Sequence, residues 1–274
     1  MIKLIATDLD GTILNDKKEV DSKLKDVIKE LEKKGIAFTV ASGRNEEISE
    51  KIIDYLEIKT PYITNNGGNI YQNHKCLLND CIPQEYNNYI AKKLYENDIP
   101  FRLFSTTIFY GLGNSEFFKE RQGIFEPLLS KYDPSIDISD LNIYKITADF
   151  INKLDLVDIF NEDLKDKDIT FLKADVTAYC FNSLTATKGN ALKNLCEMMN
   201  INIEEVMAFG DNGNDESMLR NAGISVVMKN GDESVKQIAD YICDDNNHNG
   251  VSNFLINYFG SPLNSGSPLK SGTK

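Results

Sequence analysis

Asp8 and Asp10 stand one residue apart at the end of the apolar run Lys3–Thr7, and Gly11 and Thr12 follow at once. On a strand, that spacing sends both carboxylates to the same side. Two other apolar runs also end in polar residues. IAFTVA leads into Ser42-Gly43-Arg44, and EVMAFG leads into Asp211-Asn212-Gly213-Asn214-Asp215. If Asp211 joins the first two aspartates, three anions share one crevice and repel one another unless a cation lies among them. An all-oxygen donor set suits Mg2+ and fits neither zinc nor copper. Magnesium commonly bridges protein carboxylates to a substrate phosphate. Each segment taken alone has a plainer reading. A D-x-D-G also opens calcium loops, but an EF-hand needs a third acid and a later glutamate in register, with helices on both sides. Asp10-Gly11-Thr12 alone would read as a hairpin turn. Three strand ends converging on one crevice outweigh both.

The elements that must position these groups are legible from periodicity. KLIAT, IAFTVA and PYIT read as strands. A helix with Leu24, Val27, Ile28 and Leu31 on one face, closed by Gly35, separates the first two. A second helix runs through Ile48, Ile52, Ile53 and Leu56. The alternation resumes near the C-terminus with a helix through Ala191, Leu192, Leu195, Met198 and Met199. It continues with the strand EVMAFG, a short helix over Met218 to Ala222 and the strand ISVVM. Short continuous apolar runs alternating with amphipathic helices predict a parallel sheet covered on both faces. In such α/β sheets ligands bind beyond the carboxyl ends of the strands, where all three polar segments fall.

The middle third differs. PFRLFSTTIFYG and DVTAYCF alternate closely with polar residues, with helix candidates at Tyr86 to Glu96 and Lys153 to Asn161. The expected fold class is therefore a doubly wound, Rossmann-like α/β core with an inserted α+β domain. The expected boundaries are residues 1–82 for the first part of the core, 83–183 for the insert and 184–260 for the second part. Residues 261–274, rich in Gly, Ser and Pro, read as a flexible tail or an expression remnant.

Composition narrows the function classes. A formal net charge of −12 repels nucleic acid and anionic membranes, so neither is expected as a partner, and any anionic substrate needs a local positive site. Five scattered cysteines without C-x-x-C spacing argue against disulfides and zinc and for a reducing cytoplasm. A signal peptide and a membrane span are not expected.

Asp8-Leu9-Asp10-Gly11-Thr12, Ser42-Gly43-Arg44, Thr187-Lys188-Gly189 and Gly210 to Asp215 together resemble the four motifs of the haloacid dehalogenase superfamily. Their order, and the large insert between the second and third, resemble its Cof-type branch, which carries an α/β cap. The resemblance spans nearly the whole chain apart from the tail, and Thr187, where Ser is frequent, is a mild variation. It implies a phosphatase for small phosphorylated metabolites, with Asp8 as nucleophile forming an aspartyl-phosphate. Asp10 would be general acid and base. Mg2+ would be held by Asp8, the Asp10 carbonyl and Asp211. Leu9, Ser42, Gly43, Lys188 and Asn214 would meet the phosphoryl group. Thr12, Arg44 and Asp215 would support them, Asp215 by orienting Lys188 or a metal-bound water, while Arg44 is equally a substrate contact or a surface residue. Outside its motif Lys188 would pass for a solvated helix lysine. The same motifs serve a phosphotransferase such as a hexose-phosphate mutase, and a non-catalytic metabolite sensor would have lost one of the aspartates.

Other residues carry plainer expectations. His74 and His248 should be exposed, Asn65 to Gly68 should form a turn after a strand, where the resemblance implies a stretch near the cap entrance, and Asn230-Gly231 a turn before a helix. Phe101, Phe104, Phe109 and Tyr110 should belong to the core of the insert. The identity of the substrate and the oligomeric state are not written in these patterns.

Overall fold

The computed structural model describes residues 1–105, 109–119, 130–174 and 176–260. The tail and parts of PFRLFSTTIFYG and DVTAYCF lie outside them. In chain order the strands and α-helices are β1 (Leu4–Thr7), α1 (Leu24–Lys33), β2 (Ala37–Val40), α2 (Glu46–Leu56), β3 (Tyr62–Thr64), β4 (Asn69–Gln72) and β5 (Lys75–Asn79). Next come α3 (Asn87–Glu96), β6 (Phe101–Ser105), β7 (Phe109–Leu112), α4 (Glu116–Lys119), β8 (Ser130–Lys131), β9 (Ile143–Asp149), α5 (Val157–Leu164), β10 (Ile169–Lys173) and β11 (Ala178–Ser183). The last are α6 (Lys188–Met199), β12 (Val206–Gly210), α7 (Glu216–Asn221), β13 (Ile224–Met228), α8 (Glu233–Lys236), β14 (Tyr241–Cys243) and α9 (Gly250–Phe259).

The chain divides into two compact units, Met1–Leu77 with the chain from Thr187 onward, and Leu78–Ala186. Pattern alone placed these divisions at 82/83 and 183/184. The linking residues side with the insert: the Ile82 N–H donates to Ile143 O at 2.8 Å, and the Thr185 hydroxyl donates to Asp80 at 3.1 Å.

In the first unit five strands run parallel in the order β14-β13-β12-β1-β2. Every residue of the central strands β1 and β12 is buried, which is why both read as unbroken apolar runs instead of alternating ones. Ile5, Phe38, Met207, Phe209 and Val226 join the apolar faces of α1, α2 and α9 in one cluster. The intervening Leu4, Ala6, Val206 and Ala208 are equally buried, and α6 and α7 pack together as a second helical layer. Asn45 and Thr187 cap α2 and α6 by accepting from the Ile48 and Asn190 N–H groups at 3.2 and 3.1 Å. Both caps directly adjoin polar segments of the site, so helix initiation fixes where those segments end. β3 and β4 form a hairpin extended by β5, with Asn73 and His74 in left-handed conformation between β4 and β5.

The insert is a six-stranded sheet in the order β10-β11-β9-β6-β7-β8, antiparallel except for β7 with β8. Phe101, Leu103, Ile146, Phe160 and Phe181 build its own core. Two expectations change here. Phe104 is only half-buried, because strand alternation turns it to the opposite face from Phe101 and Leu103. The helix expected at Lys153 to Asn161 begins with a single 3-10 turn at Leu154–Leu156, and α5 continues to the buried Leu164. Phe101 and Tyr110 are buried as expected, while the side chain of Phe109 lies outside the description. Among the described residues no helix is long and apolar enough to cross a membrane.

Candidate active site

The polar segments meet at the carboxyl ends of β1, β2 and β12. Asp8 follows β1, and its N–H donates to Phe209 O on β12 at 3.0 Å, so the parallel pairing that builds the sheet also sets the aspartate beside the β12 loop. Lys188, in the first turn of α6, is fully buried, and its Nζ lies 2.7 Å from Asp8 Oδ1 and 2.6 Å from Asp215 Oδ1. A buried ammonium is held this way only by charged partners. The other oxygen of Asp215 accepts the N–H groups of Asp211 at 2.9 Å and Asn212 at 3.1 Å. Asp215 thus uses both oxygens, one to hold the lysine and one to shape the loop.

One carboxylate oxygen from each of Asp8, Asp211 and Asp215 lies within 4.8 Å of the others. The Thr12 hydroxyl donates to Asp211 Oδ1 at 3.1 Å. Gly11, at φ +73°, is what lets the chain pass this carboxylate: a Cβ there would stand 2.3 Å from Asp211 Oδ2. Burial first, then the charges of Asp215 and Asp211, push the Asp8 carboxyl up to about 7 although Lys188 pulls it down. Burial and the charge of Asp215 push Asp211 up to about 6, against the opposing pull of Thr12 and Lys188. Three carboxylates with one ammonium leave excess negative charge in a dry place. A small divalent cation held by Asp8 and Asp211 would offset it, and the donors are all oxygen. The residues present therefore fit such an ion.

The side chain of Asp10 lies outside this cluster. Arg44 forks onto it, Nε to Oδ2 and Nη2 to Oδ1 at 2.6 Å each, and Lys18 Nζ donates to Oδ1 at 2.8 Å. Burial raises its proton affinity, but the bonds from Arg44 and Lys18 outweigh that and hold the carboxyl below its usual range. Between the two aspartates Leu9 is completely buried, so only its backbone can serve the site.

Ser42 is buried, and its hydroxyl oxygen accepts the Arg44 N–H at 3.1 Å. The Asn66 N–H donates to Ser42 O at 2.9 Å and the Asn65 N–H to Arg44 O at 2.8 Å, which holds the segment after β2 in place. Asn214 Nδ2 donates to Asn66 Oδ1 at 3.0 Å, and a Cβ on Gly43 would stand 2.8 Å from that oxygen. The structure therefore brings together Asp8, Thr12, Lys188, Asp211 and Asp215 in one cluster. Asp10 with Arg44 forms a rim, and Ser42, Gly43 and Asn214 line up along Asn66.

Sequence reasoning gave no role to Lys18, and it read Asn66 only as part of a turn. It also missed Asn230, whose side chain donates to Gly11 O at 2.9 Å while accepting the Asn246 N–H at 3.0 Å. The only signal for these was an asparagine in each turn beside a strand end. His74 and His248 are exposed, as expected, but each pairs with a carboxylate, Glu50 and Asp245 respectively.

A family model of haloacid dehalogenase-like hydrolases matches residues 5–255. The 5-amino-6-(5-phospho-D-ribitylamino)uracil phosphatase YcsE of Bacillus subtilis is 28% identical over 92% of this chain and 93% of its own. Phosphatase YwpJ of the same organism is 29% identical over 93% of this chain and 99% of its own. The crystal structure of TM0651 from Thermotoga maritima superposes with a TM-score of 0.81 at 28% identity, covering 93% of this chain and 97% of that one. With the family motifs gathered at the strand ends and relatives named as phosphatases over nearly the full length, the chain belongs to the haloacid dehalogenase-like hydrolases, as a Cof-type phosphatase acting on phosphomonoesters.

Proposed function

We propose that the protein is a magnesium-dependent phosphatase that hydrolyses small phosphorylated metabolites through a covalent phosphoryl group on Asp8. The observation that carries this reading is the fully buried Lys188 ammonium, 2.7 Å from Asp8 and 2.6 Å from Asp215. An ammonium held that rigidly beside a carboxylate is suited to an incoming phosphoryl oxygen, and it needs no reorganisation when charge shifts during transfer. Asp8 attacks phosphorus, and the ester oxygen departs. Asp10 supplies the proton to that oxygen and then takes one from the water that releases phosphate. Ser42, the Gly43 N–H, Asn214 and the Leu9 backbone contact the remaining phosphoryl oxygens. Asp8, the Asp10 carbonyl and Asp211 would hold the metal, which would neutralise phosphate charge so that one anion can approach another. The insert, residues 83–183 by sequence pattern, acts as the cap that contacts the non-phosphate part of the substrate.

Inorganic phosphate release across a panel of phosphomonoesters, with and without Mg2+, tests this reading. Turnover should require the metal and vanish in Asp8→Asn. Near-normal release by that variant removes Asp8 as nucleophile, and recovery of an isomerised sugar phosphate in place of free phosphate identifies a mutase.

A further inference from the structure

The segments that carry Gly43 and Asn214 leave β2 and β12, two strands that β1 separates. A single side-chain bond reaches across: Asn214 Nδ2 donates to Asn66 Oδ1 at 3.0 Å. The backbone of Asn214 is held in the 3-10 turn Gly213–Asp215, which Asn212 caps, but its side chain is exposed. An exposed amide samples several rotamers, and either its oxygen or its nitrogen can face an incoming anion. Giving one N–H to Asn66 fixes that choice. The second N–H stays available to a phosphoryl oxygen, and the flipped amide would set two carbonyl oxygens against each other.

Asn66 is itself anchored by its backbone. Its N–H donates to Ser42 O at 2.9 Å and the Asn65 N–H to Arg44 O at 2.8 Å, so the turn after β3 is stitched to the segment after β2. Asn65, Asn66 and Gly67 have φ of +52°, +58° and +103°, a run that asparagine and glycine enter more readily than other residues. Asn66 Oδ1 fills the room that a side chain at Gly43 would need, with a Cβ there only 2.8 Å away. Gly67 lies against the cap of α6, where a Cβ would stand 2.2 Å from Thr187 O. One turn therefore abuts the segments that present Gly43, Lys188 and Asn214.

We propose that Asn66 is a positioning residue for phosphoryl transfer to Asp8: its side-chain oxygen orients the Asn214 amide, so that this amide and the Gly43 N–H meet the phosphoryl group as one preorganised pair. This rests on the reading of Asn214 and Gly43 as phosphoryl contacts. Asn66 acts only through them, by removing the need to still an exposed side chain at each encounter.

The test is a double-mutant cycle on the Mg2+-loaded full chain. It is read as kcat/KM for p-nitrophenyl phosphate and as the competitive inhibition constant of inorganic phosphate. Asn66→Gly deletes the amide and suits φ +58°, so its melting temperature should stay close to that of the parent. It should lower kcat/KM about fivefold and weaken phosphate binding by a similar factor. Asn214→Ala should lose about tenfold or more, and adding Asn66→Gly to it should cost nothing further. A merely structural Asn66 would lower the melting temperature and give losses that multiply in the double variant, and that result overturns the proposal. So does parent-like behaviour of Asn66→Gly beside an impaired Asn214→Ala. If Asn214→Ala is parent-like while Asp8→Asn is inactive, the positioning role falls and the phosphatase reading stands. Parent-like turnover by Asp8→Asn removes the covalent reading and this one with it.

Discussion

Asp8 and Asp10 are separated by one residue, yet their surroundings differ in almost every physical respect. Asp8 is buried against a lysine that has no exposed surface, and its carboxyl is pushed up to about 7. Asp10 keeps 40% of its side chain exposed, meets two cations at the rim, and is held below the usual carboxylate range. The dry end is rigid because its charges have no water to fall back on. The wet end can exchange partners cheaply because it does. The fixed geometry of the buried end suits nucleophilic attack, whereas the two proton affinities run against the proposed roles until a cation lies beside Asp8 and an anion beside Asp10.

The strongest way to break the comparison is Lys188→Met. It leaves Asp8 and Asp215 buried without their cation, which should cost about 3–5 kcal/mol in urea unfolding of this unit. Phosphate release should fall about 10³-fold. If that variant unfolds like the parent, the dry end is not held by the ammonium. Asp10→Asn should slow alkyl phosphate hydrolysis about 10²–10⁴-fold while lowering the urea midpoint far less than Lys188→Met does, because the rim is partly solvated. Gly11→Ala should fall between the two in structural effect, destabilising by about 1–3 kcal/mol and displacing Asp211. An unchanged Mg2+ affinity in that variant, read by calorimetry, would detach Gly11 from the proposed metal site.

A pH series sharpens the same contrast. Asp8 and Asp211 have folded-state values of about 7 and about 6, above those of the unfolded chain. Between about pH 4 and those values the folded state binds more protons than the unfolded one. Their contribution therefore falls as pH rises through this window and does not recover above it. Asp10, shifted the other way, adds stability above its unfolded value and loses it only in acid. Melting temperatures in EDTA should show the first loss, and Mg2+ should raise the melting temperature more at pH 8 than at pH 5. Equal shifts at both pH values would place the ion elsewhere. The smallest effect is expected from salt: high ionic strength should loosen Lys18 from Asp10 and leave Lys188 in place, visible as a change in the Lys18 Nζ environment by NMR.

The elements that position the dry end were legible because buried parallel strands and their covering helices have unambiguous apolar patterns. β1, α1, β2, α2, α6, β12 and β13 all lie where periodicity put them. β9, β10 and the hairpin of β4 and β5 were not anticipated, since their strand character depends on partners distant in sequence or on a turn formed by Asn73 and His74. β14 has three residues and too little pattern to read. The place of Lys188 beside the aspartates was implied only by the resemblance of the four motifs to the haloacid dehalogenase superfamily, since its local pattern is that of a solvated helix lysine. The engagement of Asp10 by Arg44 and Lys18 was not, because a long cationic side chain can turn toward solvent or toward an acid without changing the local pattern.

The first unit is assembled from both ends of the chain, and Thr12 finds Asp211 across 199 positions. The central β1–β12 ladder therefore cannot zip until the last third of the polypeptide has left the ribosome, whereas the insert has all its strands in hand much earlier. A prefolded insert shortens the span that must be closed, so early collapse of that middle segment should accelerate completion of the catalytic sheet. Until then Asp8 and Asp211 are strangers, and an unfinished chain has not yet assembled the carboxylate cluster on which the proposed chemistry depends.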